Sequence, residues 1–172
     1  KLTLMKTSAD SLKKSADALN DSSLWEKKKI KKKDEKTGEE IEVEDYDWDK
    51  ITKAVKSFVE DYNDVVKEAG ESNTKDVLRN ASWMTGMTDK NSNMLAKIGI
   101  TIGKGNKLEL DEDALKQADI SSLKTVFTGY NSFVSKISQK ATGISNAANR
   151  ASATYTNNGT YSKTDSSLTS SK

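Results

Sequence analysis

The chain has 172 residues, enough for one domain of ordinary size, with 34% hydrophobic residues, 31% charged residues and a net charge of +2. So little apolar and so much charged content suits elongated helices that bury a narrow seam. It has no Cys and no His, which removes the usual ligands of zinc, iron–sulfur and haem sites and the principal members of the common nucleophile and acid/base dyads. The expectation is therefore a protein that is not an enzyme, with no catalytic, cofactor-binding or metal residues.

The near-zero net charge gives no general pull toward nucleic acid. No apolar run approaches the roughly 18 residues of a transmembrane span. The start at Lys1 shows neither an apolar leader core nor an initiator Met, which suggests a trimmed fragment or a mature form.

A first amphipathic helix is expected over about residues 4–21, with Met5, Leu12 and Leu19 seven apart and Ala9 and Ala16 beside them. Lys27 to Lys33 is then lysine apart from Ile30, and Glu39 to Asp45 is acidic apart from Ile41 and Val43. A helix here would stack like charges, whereas a hairpin looping at residues 35–38, with Gly38 at positive φ, pairs opposite ones. The expected register sets Asp34 against Glu39, Lys33 against Glu40, Lys31 against Glu42 and Lys29 against Glu44, leaving Ile30, Ile41 and Val43 on the other face.

The second helix is expected from Asp47 or Asp49, either a good N-cap, to Ala69, with Gly70 as its stop. Its stripe is Trp48, Ile51, Val55, Phe58, Tyr62, Val65 and Ala69, at the alternating spacings of three and four that mark a coiled-coil seam. A third helix, about residues 74–97, carries Val77, Leu78, Ala81, Met84, Met87, Met94 and Leu95, with a break expected near Thr88. The period then switches to two: Ile100 and Ile102, a turn at residues 103–106, and Leu108 and Leu110 form a small second hairpin. Asp111 caps a short helix through Leu115 and Ala118. A last long helix, about residues 121–153, bears a second heptad stripe: Leu123, Phe127, Tyr130, Val134, Ile137, Ala141, Ile144, Ala148 and Ala151. It contains Gly129 and Gly143, each unfavourable by about 1 kcal/mol relative to Ala, so packing must hold it.

The fold class expected is mainly α: an elongated antiparallel helical bundle or coiled coil with two small β-hairpins. Residues 1–153 form one helical domain with hairpin insertions at about 25–46 and 98–110, and residues 154–172 a disordered Ser/Thr-rich tail. The seams that would do the work are Trp48, Ile51, Val55, Phe58, Tyr62 and Val65 on one helix and Phe127, Tyr130, Val134, Ile137 and Ile144 on the other. They either join a partner chain, leaving an oligomer open, or close on one another as core.

Two charged features have simpler readings than binding sites. Asp45, Asp47 and Asp49 have the opening spacing of a calcium loop, but Lys50 and Lys56 stand where its Gly and bidentate Glu belong; they read instead as hairpin partners and helix caps. The lysines of residues 27–33 could attract phosphate or anionic lipid, but their acidic neighbour strand neutralises them. Trp25, Trp48, Trp83, Tyr62 and Tyr130 read as core rather than as ligand-stacking groups.

Leu95-Ala-Lys-Ile-Gly-Ile-Thr-Ile-Gly-Lys-Gly-Asn-Lys-Leu-Glu-Leu-Asp-Glu-Asp-Ala-Leu115, followed by Leu123 to Phe127, resembles the C-terminal conserved region of flagellar filament cap proteins, the hook-associated capping family. Phe58-Val59 with Tyr62-Asn63, within Ala54 to Val66, resembles a helix of the same family, and the two segments stand in the right order. The resemblance implies a secreted axial structural protein, built from long helices with small β elements, that assembles with itself or with other axial or surface proteins through helix packing. The charged hairpin and the polar tail lie outside it, so the chain reads as a diverged cap-like protein. The alternative is a secreted or surface adhesion module contacting carbohydrate through Trp25, the hairpin and the tail.

Overall fold

Spacing and caps place the helices of the computed structural model, which describes residues 2–159, with side chains through residue 153. Helix α1 (Leu2–Leu19) buries Met5, Ala9, Leu12, Ala16 and Leu19 on one stripe. After it a single 3-10 turn, Ser22–Trp25, is capped by Asp21, whose carboxylate accepts the Ser23 N–H at 3.0 Å. Strands β1 (Lys28–Lys33) and β2 (Glu40–Asp45) pair antiparallel with Lys33 opposite Glu40, Lys31 opposite Glu42 and Lys29 opposite Glu44. This is the register the charges demand. Gly38 turns the loop at φ +74°.

Helix α2 (Trp48–Gly70) starts at Asp47, which accepts the Lys50 N–H at 3.1 Å. Gly70 stays helical rather than acting as the stop, because the Glu71 and Ser72 amides close the last turn on the Glu68 and Ala69 carbonyls. Helices α3 (Lys75–Lys90) and α4 (Ser92–Ala96) are separated at Asn91, close to the expected break. Strands β3 (Ile100–Ile102) and β4 (Leu108–Leu110) form the second hairpin, and Asp111 caps α5 (Glu112–Gln117) through the Ala114 N–H.

The last long helix is two helices, α6 (Ile120–Phe127) and α7 (Phe133–Gly159). Thr128 is extended and Gly129 sits at φ +107°, a conformation an L-residue resists. Asn20 at the end of α1 holds this corner with both ends of its amide, donating to the Gly129 carbonyl at 3.2 Å and accepting its N–H at 2.9 Å. Ser132 restarts the chain by accepting the Ser135 N–H at 3.2 Å. Helix α7 runs past Thr154 to Gly159, and the remainder of the expected tail, residues 160–172, lies outside the described residues.

Helix α1 packs against α7 and α2, and α3 against α7 and α2, closing a four-helix antiparallel bundle. The second hairpin and α5 lie along α2. Gly143 lies against the Asn80 side chain of α3, since a Cβ there would lie 2.6 Å from Asn80 Oδ1. Asn80 is otherwise occupied, donating to the Asp76 carbonyl at 2.8 Å. Gly143→Ala alone should therefore be close to neutral, its helix-propensity gain offset by the displaced amide. In an Asn80→Ala background the same change should stabilise the chain by about 1 kcal/mol, read by urea unfolding.

Candidate functional site

The two seams are the first candidate surface, and the bundle covers most of them. Ile51, Val55, Phe58, Tyr62 and Val65 from α2, Phe127 from α6, and Val134, Ile137 and Ile144 from α7 are all fully buried within the one chain. Phe58 stands at their crossing, its ring 6.5 Å from Phe127, 6.3 Å from Phe133 and 6.2 Å from Tyr62. Trp48 is half-buried at the rim, its ring edge-on to Tyr46. Tyr130 belongs to no core seam. It is 86% exposed, because the break at Gly129 lifts it out of the helical stripe.

Trp25 is not exposed for contact with a glycan. It is 2% exposed, stacked on Phe127 at 5.6 Å, and its indole N–H donates to the Leu19 carbonyl at 2.7 Å. Two of the spaced aspartates have local partners: Asp45 takes the Lys32 ammonium and the Tyr46 N–H, while Asp47 caps α2.

A polar ladder joins α1 to α7. Asp10 accepts the Ser145 hydroxyl at 2.6 Å and Asp17 the Ser138 hydroxyl at 2.7 Å, with Lys6 and Lys13 each one turn back on α1. Buried Ala9, Ala16, Ala141 and Ala148 leave room for so close a crossing. An apolar template passes over these groups. Their signal is a tandem heptad, Lys-x-Ser-Ala-Asp-x-Leu at residues 6–12 and 13–19, facing Ser-x-x-Ala at residues 138–141 and 145–148.

The Lys6 hydrogen bond, then that of Ser145, holds the Asp10 carboxyl below its ordinary value. At Asp17 burial pushes upward and is outweighed by the bonds from Lys13 and Ser138. A carboxyl depressed in the folded state binds fewer protons there than when unfolded. Its stabilisation is thus complete above the unfolded value of about 4 and lost as pH falls through the folded value. Asp61 works in the opposite sense, raised mainly by burial. The double variant Asp10→Asn, Asp17→Asn should accordingly flatten the acid side of the stability profile, seen as thermal midpoints that fall less steeply below pH 4 than those of the parent chain.

The two segments that carry the sequence resemblance meet in space. The Asn63 side-chain amide clamps β4, donating to the Leu108 carbonyl at 2.9 Å and accepting its N–H at 2.7 Å. One residue earlier, the Tyr62 hydroxyl donates to Thr88 Oγ1 at 2.8 Å, and burial pushes its pKa up to about 12. Asp111 ties back by donating its N–H to the Gly99 carbonyl at 2.8 Å. The motif residues are thus the fasteners between α2, the second hairpin and α5. The family profile described as the flagellar hook-associated protein 2 C-terminus matches residues 71–172. The chain belongs to that family. Comparison with curated proteins and with solved structures gave no match.

Outside the buried seams, the α3–α7 pair carries an exposed aromatic. Trp83 on α3 is 48% exposed and lies under the Lys140 ammonium of α7 at 3.9 Å from the ring centroid. It lines an outer groove of about 520 Å³ with Gly86, Met87, Lys90, Lys136 and Gln139. Among the described residues no helix is long and apolar enough to cross a membrane.

Proposed function

We propose that the chain is a structural part of a flagellar filament cap, located at the flagellum outside the cell, and that it works by stoichiometric association with axial proteins such as flagellin. The family match over residues 71–172 carries this reading. Association through helices falls to the outward side of the α3–α7 pair, because the long seams are enclosed within the chain. There Trp83 supplies the large, half-exposed aromatic on which interface energy tends to concentrate, and Lys90, Lys136 and Lys140 supply a polar rim.

Titration of the purified chain against flagellin, followed by Trp fluorescence and light scattering, tests it. Saturable binding is expected, weakened roughly tenfold or more by Trp83→Ala with the unfolding midpoint unchanged. Absence of binding to flagellin at concentrations near 0.1 mM, where even weak specific complexes form, overturns it, as does stoichiometric binding of a glycan in its place.

A further inference from the structure

The β1–β2 hairpin has two free edges, and they carry opposite charge. In the hairpin turn the Asp34 N–H donates to the Glu39 carbonyl at 2.7 Å, so both groups point inward. Antiparallel pairing alternates, and the inward groups are therefore those of residues 28, 30 and 32 on β1 and 41, 43 and 45 on β2. The outward N–H and C=O groups belong to Lys29, Lys31 and Lys33 on one edge and to Glu40, Glu42 and Glu44 on the other. All six residues are exposed. On the opposite face Ile30 and Val43 are only half-buried and Ile41 is 39% exposed, so the chain leaves that apolar face partly wet.

Like edges repel. A second hairpin meeting β1 with its own β1 sets Lys against Lys, and β2 against β2 sets Glu against Glu. Only the lysine edge of one hairpin on the glutamate edge of another satisfies the backbone groups while continuing the alternation of sign that the hairpin already uses internally. It also extends the Ile30, Ile41 and Val43 face across the junction. We propose that the β1–β2 hairpin joins copies of this chain head to tail, the lysine edge of one copy adding to the glutamate edge of the next. Such a contact is heterologous, and it closes into a ring or grows as a filament according to the rotation between copies. It goes beyond the cap reading, which needs only the α3–α7 groove and a different partner.

Proline at an outward-facing position removes the N–H that a neighbour needs and none that the hairpin uses, so Lys31→Pro blocks one edge and Glu42→Pro the other. Mass is measured by sedimentation velocity on the full chain across a wide concentration range. The parent chain should associate, and 0.5 M salt should raise the midpoint concentration about tenfold. Each proline variant alone should stay monomeric, because every copy then lacks one of the two edges a junction needs, whereas an equimolar mixture should give a 1:1 dimer joined through the two remaining edges. A parent chain monomeric near 1 mM at low salt overturns the proposal, as does association that ignores salt. Prolines that leave the assembly intact also overturn it, provided that amide exchange shows the Lys32 and Ile41 amides still protected. If a proline melts the hairpin, the salt series on the parent chain decides.

Discussion

Phe58→Ala should lower the unfolding free energy by about 3–5 kcal/mol, with the mass of the folded species unchanged. The ring is fully buried and in contact range of three others, Tyr62 on its own helix, Phe127 at the end of α6 and Phe133 at the start of α7. Removing it empties the point where α2 meets the α6–α7 corner, and neither neighbour is free to collapse inward, since Phe127 is pinned against Trp25 and the corner is tied to Asn20. Chemical denaturation with light scattering reads both quantities. A seam working between chains would give the reverse result, a change of mass with little change in the unfolding of each chain.

Gly99→Ala should be the most damaging of the glycine substitutions, at about 2 kcal/mol or more. Its φ of +90° already disfavours a side chain, and an added Cβ would lie 2.7 Å from the Asp111 carbonyl oxygen and 3.0 Å from the Leu115 nitrogen. Both obstacles are backbone, so no rotamer relieves them. The first turn of α5 must part from β3, and the 2.8 Å bond from the Asp111 N–H to the Gly99 carbonyl goes with it. Gly38→Ala is the control. It has a similar φ of +74° but open space around it, so it should lose only about 1 kcal/mol. Equal losses at the two sites would mean that the close approach at Gly99 contributes nothing.

Both hairpins were legible because their signals are local: a period of two, a glycine in the turn and, for the first, opposite charges whose pairing leaves one sensible register. The stripes of α1 and α2 were legible for the same reason. The corner at Gly129 was not. Phe127, Tyr130 and Val134 keep the spacing of three then four straight through it, so the apolar pattern continues where the helix does not. At the break Gly129 takes a positive φ and is held by Asn20, which lies 109 positions away. The Asp–Ser ladder escaped for another reason: its members are polar, and a search for apolar periodicity assigns them to solvent. Trp83 reads as core from sequence because aromatics on helices mostly are; its exposure depends on how α3 turns against α7.

The ladder between α1 and α7 repeats every seven residues, and a repeating pattern cannot by itself fix a position. Sliding α1 by one heptad, about 10.5 Å along the axis, would bring Asp10 opposite Ser138 and Ala9 opposite Ala141, a set of partners chemically much like the native one. The pair formed by Asn20 and Gly129 has no second copy in α1 or at the α6–α7 corner. It acts as an index mark on a sliding scale: the heptads specify that the two helices lie together, and an aperiodic tie such as this one selects the phase in which they stop.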